Sequence, residues 1–189
     1  MNIGFAMCGS FCTFSKAFDA MEKVASIHTV IPIFSQNAGS IDSRFGTAHD
    51  HLERAKEISG RIPLLSIPQA EPIGPKKLLD ALVIAPCTGN TLAKLAHSIA
   101  DGPVTMAAKS HLRNGRPLII AISTNDALAG AAENIGRLLG KKHYYFVPFG
   151  QDDPMGKPTS MVADFDRLLP TLEAALEGYQ LQPVILPPH

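Results

Sequence analysis

Apolar residues recur along the chain with two alternating periods, one typical of buried strands and one of amphipathic helices. Continuous apolar or β-branched runs predict strands, or for the third an extended segment, at residues 2–8, 28–34, 62–67, 81–85, 117–123 and 144–149. Stripes spaced three or four residues apart predict helices at residues 14–25, 43–59, 91–100, 104–113, 128–139 and 162–176. Gly60 is expected to cap the second helix, and residues 76–79 to form one helical turn.

The alternation of strands and helices indicates the fold class. Buried strands separated by helices predict a parallel sheet covered on both faces, and therefore a three-layer, doubly wound α/β domain. We expect one domain over residues 1–179 and an extended, Pro-rich tail over residues 180–189. Such sheets bind ligands at the carboxyl ends of their strands, so candidate chemistry is sought there.

Composition excludes several functional classes. The 189 residues are 46% hydrophobic, which excludes a disordered chain, and 17 basic residues balance 17 acidic ones, which argues against nucleic-acid binding. The longest apolar runs are too short to cross a membrane. Three cysteines and the lack of an N-terminal signal sequence predict a cytoplasmic protein without a disulfide framework.

Small and polar residues follow the first two predicted strands. Gly9, Ser10 and Phe11 follow the first strand, where small residues at a helix start allow a phosphate close to the backbone. An ordinary turn capped by Thr13 explains the same segment and is slightly favoured when it is considered alone. Ser35 follows the second strand and suits a phosphate or ribityl oxygen, although a residue of this kind is more often part of a turn.

The segment after the central strand is the most informative. Pro86 is expected to end that strand, and Thr88, Asn90 and Thr91 then surround Gly89 at a helix start. Capping needs one such side chain, so three favour a polar ligand. The stretch after the fifth strand is similarly polar. The residues predicted to bind a cofactor are therefore Gly9, Ser10, Phe11, Ser35, Thr88, Gly89, Asn90, Thr91, Ser123, Thr124 and Asn125.

The remaining polar residues, histidines and cysteines give no specific prediction of a functional site. The polar loop over residues 150–158 is interpreted equally well as a lid or as a solvated connection. His49 and His51 are two apart on a predicted helix and point to different sides, so no metal site is predicted. Cysteines at positions 8, 12 and 87 are expected to be small buried thiols, with a redox role as the weaker interpretation.

The segment Pro86-Cys87-Thr88-Gly89-Asn90-Thr91 resembles the Pro-Ala-Ser/Thr-Ala-Asn-Thr signature of flavin-dependent cysteine and phosphopantothenoylcysteine decarboxylases. The resemblance implies a flavodoxin-like (Rossmann-like) sheet, bound FMN and an oligomer built on trimers. Two departures set this chain apart. The position of the decarboxylases' histidine falls at Pro72, and Ser123-Thr124-Asn125 stands where they carry Pro-x-Met-Asn. Proline has no acid or base function, so the resemblance extends to the flavin site and not to decarboxylation.

A second resemblance covers nearly the whole chain. The sequence is similar to the B-subunit family of dipicolinate synthases in several separated motifs: Asp42-x-Arg44-Phe45-Gly46, Glu71-Pro72-Ile73-Gly74-Pro75, residues 85–90, 112–117, 122–128 and 145–154, and Leu181-Gln182-Pro183-Val184-Ile185. This resemblance implies a role in sporulation, in the mother-cell cytoplasm, and the oxidation of dihydrodipicolinate to dipicolinate with NADP. It also implies a partner, the A subunit of the same synthase, with its own nicotinamide-binding domain.

The implied substrate is a small dianion, so the site must hold two carboxylates. Arginine binds carboxylates through two parallel hydrogen bonds, and Arg44 and Arg113 are the predicted substrate-binding residues. Lys109 and Lys157 are secondary candidates. For each of these four, a solvated surface charge remains the alternative.

The sequence predicts no catalytic residue and only candidates for an aromatic partner of the ligand. Aspartates at positions 126, 152 and 153 lie near the presumed cleft, but none is compelling as a base. Phe11 and Phe149 are the candidates for stacking on a flavin ring. The hydride acceptor is either FMN on this chain or a nicotinamide on the A subunit.

Three functions therefore remain open. The first is an oxidoreductase subunit of dipicolinate synthase, and the second is an FMN-dependent lyase of the decarboxylase and prenyltransferase kind. The third is a non-catalytic binding module that supports the A subunit.

Overall fold

The computed structural model describes residues 1–187 and contains one sheet of seven strands with helices packed against it. The strands are β1 (Asn2–Met7), β2 (Thr29–Phe34), β3 (Ala81–Cys87), β4 (Leu118–Thr124), β5 (Tyr144–Phe146), β6 (Phe149–Gly150) and β7 (Met161–Ala163). The α-helices are α1 (Phe14–Ala25), α2 (Ala48–Ser59), α3 (Ile67–Ala70), α4 (Gly89–Ala96), α5 (Pro103–Leu112), α6 (Ala132–Leu139) and α7 (Leu168–Leu176). Short 3₁₀ turns occupy Phe11–Thr13, Glu71–Ile73 and Phe165–Arg167.

The strand order confirms the predicted doubly wound α/β fold. Strands β2, β1, β3, β4 and β5 are parallel neighbours in that order, and the first crossover runs to one side of β1 while the later ones run to the other. Every residue of β3 is buried, because α1 and α7 contact it from one face and α5 from the other. The position where the strand order reverses, beside β1 and β3, is where such sheets bind ligands.

The far side of the sheet departs from the all-parallel prediction. The predicted strand over residues 144–149 is two strands, β5 and β6, because the chain breaks at Pro148, which has no amide to donate to a ladder. The amino half of β4 pairs with β5, and its carboxyl end pairs with antiparallel β7. Val162, predicted on a helix, therefore lies in a strand, and the C-terminal α-helix begins only at Leu168.

Several helix boundaries also differ from prediction. Helix α2 begins at Ala48 because the Thr47 side chain accepts the Asp50 amide and caps it, while residues 43–46 form a tight turn. Gly60 caps this helix in the left-handed conformation, as predicted. Pro86 does not end its strand, which continues to Cys87 across a register shift in the pairing of β3 with β4.

The segment between α2 and β3 also contains less strand and a different helical turn than predicted. The segment 62–67, predicted as a short strand or an extended segment, forms a single bridge from Leu64 to Ile33, and α3 begins at Ile67. The expected turn at 76–79 is replaced by the 3₁₀ turn Glu71–Ile73. The helix predicted at 91–100 spans Gly89–Ala96, and the one predicted from residue 128 starts at Ala132.

The C-terminal segment runs along the outer sheet edge. Ile185 bridges to Phe149 in an extended conformation, and residues 188 and 189 of the predicted tail lie outside the described part of the chain. The Gln180 side chain forms two hydrogen bonds with Phe146 of β5, accepting from its amide at 2.7 Å and donating to its carbonyl at 2.7 Å. Within residues 1–187, every helix is too short or too polar to span a bilayer.

Candidate functional site

A cleft of about 830 Å³, hereafter the main cleft, opens at the carboxyl ends of β1, β3 and β4. Loops following these three strands line it because parallel strands end at the same edge of the sheet. The predicted cofactor residues that line the main cleft are Gly9, Ser10, Phe11, Thr88, Gly89, Asn90, Ser123, Thr124 and Asn125. The structure thus brings together residues from three distant parts of the sequence.

A smaller cavity of about 270 Å³, hereafter the side cavity, adjoins the main cleft. The remaining predicted cofactor residues, Ser35 and Thr91, lie there and not in the main cleft. Gly9, Thr88 and Asn90 line both spaces, so they form the divide between them. A ligand with a ring and a phosphate arm can therefore contact both sets of residues if it crosses this divide.

The hydroxyl groups of Ser10 and Ser123 form the floor of the main cleft, and the Thr13 hydroxyl contacts that of Ser123. The Ser10 hydroxyl lies 2.8 Å from that of Ser123, which lies 3.2 Å from that of Thr13. The Thr13 hydroxyl also donates to the Ser10 carbonyl at 2.9 Å. Because Ser123 and Thr13 are buried, these mutual hydrogen bonds satisfy groups that would otherwise be costly to desolvate.

At the start of α4, the side chains of Thr88 and Thr91 form hydrogen bonds within the protein, whereas that of Asn90 does not. The Thr88 hydroxyl caps the helix by accepting the Thr91 amide at 3.2 Å and donates to the Thr91 hydroxyl at 3.1 Å. Thr91 in turn donates to the Cys8 thiol at 3.3 Å. Asn90 is exposed, and its amide side chain makes no hydrogen bond to another described residue. Asn90 is therefore the side chain of this segment that remains available to a ligand.

Gly89 allows the loops after β3 and β4 to pack tightly. A Cβ atom at Gly89 would stand 2.7 Å from the Asp126 carboxylate and 2.9 Å from the Thr124 hydroxyl. The Thr124 hydroxyl donates to that carboxylate at 2.6 Å. Asp126 thus lies beside the first residue of α4, where a negative charge is favoured by the helix dipole.

Arg44 stands on one rim of the main cleft, in the turn after β2. Backbone hydrogen bonds between Ser43 and Gly46, at 3.0 and 3.1 Å, close this turn. The Arg44 guanidinium lies 4.8 Å from the centre of the Phe45 ring, and both residues are exposed and line the cleft. No acidic side chain among the described residues pairs with Arg44, so its charge is available to an anion.

The loop 151–160, hereafter the rim loop, lines the main cleft from between β6 and β7, whereas Arg44 follows β2 toward the other end of the strand order. Its Asp152, Lys157 and Ser160 line the cleft, and the Lys157 ammonium donates to the Asp152 carboxylate at 3.1 Å. Partial burial raises the pKa of Asp152, but hydrogen bonds from Ser160, from Lys157 and from its own backbone amide outweigh this effect and hold the pKa below the usual value. The paired carboxylate raises the pKa of Lys157.

Three residues predicted at the site lie elsewhere. Arg113 follows α5, which returns the chain to the amino ends of the strands, so it cannot share a substrate with Arg44 within this chain. Lys109 lines a separate, mostly apolar cavity of about 290 Å³. Phe149 is 2% exposed and packs on Phe146, with 6.1 Å between ring centres, so it presents no face to a flavin. Phe11 is half-buried and lines the main cleft.

The cysteines differ in exposure. Burial is the main cause that raises the pKa of Cys8 to about 11, and burial likewise raises that of Cys87, so both thiols stay protonated at neutral pH. Cys12, expected to be buried, is exposed at the main cleft.

The two histidines of α2 differ in their surroundings, and neither belongs to a metal-binding cluster of the described residues. Among residues 1–187, no group of three or more His, Cys, Asp or Glu side chains is arranged to hold a metal ion. His49 is exposed. His51 lies against the rings of Phe14 and Phe18, with 4.7 and 5.9 Å between ring centres.

Ser160 and Gly102 line these spaces although the sequence did not predict them there. Ser160 reaches the main cleft because β7 pairs with β4, and a short antiparallel strand leaves little local signal. Gly102 lines the side cavity and directly precedes α5. The Asp-Gly-Pro sequence there, with proline at the first helical position, is the signal that could have identified this helix start.

Comparisons with known proteins agree with this architecture. The family model described as Flavoprotein matches residues 1–147. The dipicolinate synthase B subunit of Bacillus subtilis (strain 168) is 44% identical over 186 residues, which cover 98% of this chain and 93% of that protein. The flavin prenyltransferase UbiX of Salmonella typhimurium is 30% identical over 130 residues, 64% of each chain.

Two solved structures share this fold. The crystal structure of the dipicolinate synthase B subunit from Bacillus halodurans C matches with a TM-score of 0.91 and 42% identity, covering 100% of this chain and 97% of that chain. The FMN-dependent cysteine decarboxylase SpaF matches with a TM-score of 0.70 and 19% identity, covering 94% and 95% of the two chains, which indicates the shared fold alone.

Proposed function

This chain belongs to the Flavoprotein family, and on that premise we propose that it serves as the B subunit of a dipicolinate synthase. In this role it binds dihydrodipicolinate in the main cleft and takes part in its oxidation to dipicolinate with NADP, together with the A subunit. The similarity to two B subunits over nearly the full chain supports this proposal over that of a flavin-dependent lyase.

The observation that carries the proposal is the composition of the main cleft. The unpaired guanidinium of Arg44 lines the same cleft as the hydroxyl groups of Ser10 and Ser123 and the free amide of Asn90. A guanidinium binds a carboxylate with charge and two directed donors, while hydroxyl and amide groups accept or donate to the rest of a small polar ring. The volume of about 830 Å³ is sufficient for a small dicarboxylate together with the ring of a cofactor.

FMN is the proposed cofactor of this chain, and the residues fit it. Gly9 leaves the backbone open at the end of β1, and the start of α4 lies at the divide between the two cavities, where Thr88 and Asn90 line both. Asn90 and Ser35 would hold the polar parts of the ligand, and Phe11 presents the aromatic ring that borders the cleft. When bound, FMN supplies a site that accepts a hydride.

The proposed oxidation removes one hydride and one proton from the dihydropyridine ring, which thereby becomes aromatic. The oxidation needs a hydride acceptor, which an oxidised nicotinamide held by the A subunit or a bound flavin would supply, and the proton passes to solvent. The contribution proposed for this chain is to bind and orient the dianion and to exclude water from it. Pro72 stands where the related decarboxylases carry histidine, so this chain lacks that group for decarboxylation.

Two measurements test the proposal. The purified chain is expected to show flavin absorption after incubation with FMN, and dipicolinate is expected to form from dihydrodipicolinate faster with both subunits than with either alone. If the A subunit on its own equals the complex under all conditions, the enzymatic role is wrong. If FMN fails to bind while the complex remains faster, the substrate role stands and the cofactor assignment falls.

A further inference from the structure

Because Arg113 and Lys109 lie outside the site, the main cleft needs a second cation to bind a dicarboxylate. Lys157 is the lysine that lines this cleft, and it lies in the loop before β7, whereas Arg44 follows β2 toward the other end of the strand order. Its side chain is 59% exposed and its ammonium donates to the carboxylate of Asp152, whose side chain is 30% exposed. The cleft therefore presents one unpaired cation and one cation already held by an acid.

The rim loop fixes the position of Lys157. The Lys157 amide donates to the Asp153 carbonyl at 2.7 Å, and the Ser160 amide donates to the Lys157 carbonyl at 3.0 Å. The loop is also tied to the strand-end segment of β4, because the Thr159 hydroxyl donates to the Asn125 carbonyl at 2.7 Å. The backbone of Lys157 is thus held beside the cleft floor, while its long side chain remains free to turn.

The Asp152 carboxylate is partly open to solvent, with 30% of its side chain exposed. Water can therefore replace the Lys157 ammonium at this carboxylate, so the exchange of Lys157 to another anion costs little. The ion pair itself is largely exposed, and such pairs are weak.

We propose that Lys157 is the second carboxylate-binding residue of the main cleft, and that Asp152 holds its ammonium until a dicarboxylate displaces it. This inference rests on the proposed function and specifies its substrate class: a small planar molecule with two carboxylates, one at Arg44 and the other at Lys157. Asp152 then acts as a specificity-determining residue, because an anion with a single carboxylate binds at Arg44 and leaves the Asp152–Lys157 pair intact.

Titration calorimetry with dipicolinate and with picolinate, which lacks one carboxylate, tests this inference. Both ligands are titrated into this chain alone and into its complex with the A subunit. We expect Lys157→Met to weaken dipicolinate binding about tenfold and to leave picolinate binding unchanged. Lys157→Arg should retain most of the preference for the dicarboxylate, and Asp152→Asn should strengthen dipicolinate binding because it frees the ammonium.

The variants separate this role from two others. If Lys157 only braces the rim loop, Lys157→Met and Asp152→Asn weaken both ligands alike, and the inference is wrong. If Lys157 binds a cofactor phosphate, Lys157→Met weakens FMN and spares dipicolinate, which also overturns it. Wild-type protein that binds neither pyridine carboxylate, even in the complex of both subunits, contradicts the proposed function itself; wild-type binding that Lys157→Met leaves unchanged contradicts the Lys157 assignment alone.

Discussion

The Ser10 hydroxyl lies 2.8 Å from the Ser123 hydroxyl, although the two residues are 113 positions apart in the sequence. Ser10 follows β1 and Ser123 lies at the carboxyl end of β4, and β3 lies between these strands in the sheet. Their contact beyond the end of β3 joins two loops into one floor. This floor and the side chains arranged around it determine what substitutions should do to binding and stability.

Replacing Asn90 with alanine is expected to weaken ligand binding without unfolding the domain. The side chain is exposed and free of hydrogen bonds to other described residues, so its loss removes a ligand contact and not a fold contact. We expect FMN or dipicolinate affinity to fall about fivefold to tenfold in a calorimetric titration. Unchanged affinity would remove Asn90 from the site.

Asn114 provides the matched control for that substitution. Its side-chain amide donates to the Gly74 carbonyl at 3.0 Å, at the opposite edge of the sheet. Asn114→Ala should lower the free energy of unfolding by about 1 kcal/mol and leave ligand affinity unchanged.

Arg44→Ala is expected to raise the KM for dihydrodipicolinate about tenfold in the assay with both subunits, because a charged hydrogen-bond donor to a carboxylate is lost. The guanidinium contacts the exposed Phe45 ring and no acid among the described residues, so the free energy of unfolding should change by less than about 1 kcal/mol. Arg113→Ala is the control, since this arginine lies at the opposite edge. An equal increase in KM for both variants would contradict the placement of the substrate.

Gly89→Ala is expected to lower the free energy of unfolding by about 1–3 kcal/mol, because the new methyl group stands 2.7 Å from the Asp126 carboxylate and must displace it. Chemical denaturation measures this change, and ligand affinity should fall in parallel. At Gly136, in α6, no atom other than the neighbouring residues and the backbone of the helix itself lies within 4 Å of the position that a methyl group would take, so Gly136→Ala should stabilise the protein by about 0.5–1 kcal/mol. Destabilisation at both sites would mean that helix packing, and not the Asp126 contact, determines the result.

Acidification is expected to destabilise the domain through His51 and His111. Desolvation lowers the pKa of both imidazoles below the usual value, and the opposing effects of Asp50 on His51 and of the Pro117 carbonyl on His111 offset it only in part. The unfolded chain therefore binds protons at a higher pH than the native one, so the free energy of unfolding falls as the pH drops below about 6.5.

Denaturation curves at several pH values check this expectation. Because the ring of His51 packs against Phe14 and Phe18, His51→Phe should reduce the acid sensitivity. A slope that is unaffected by His51→Phe would assign the effect to other groups.

The parallel half of the sheet could be predicted because its signals are local. Runs such as residues 81–85 are apolar over their whole length, and only a strand buried on both faces needs that pattern. Strand β7 has three residues and exists because it pairs with β4 and β6, which no local pattern shows. Since that pairing holds the rim loop over the cleft, the sequence alone could not decide between a lid and a connection.

The candidate site was predictable in kind and less so in detail. Polar residues after parallel strands must share one edge of the sheet, and this reasoning placed Ser10, Thr88 and Ser123 together. It misplaced Arg113 because a crossover helix reverses the chain, so a residue at the end of α5 returns to the other edge. It misplaced Phe149 because spacing along a strand does not show which ring faces a cleft.

The amide of Gln180 occupies both backbone groups of Phe146 that face away from β4. An outer strand with vacant amides and carbonyls is a template for edge-to-edge aggregation. Here the Gln180 side chain removes this hazard, because a strand from a neighbouring molecule finds no vacant hydrogen-bonding group at Phe146. The segment after α7 thus shields the sheet of its own molecule at this strand.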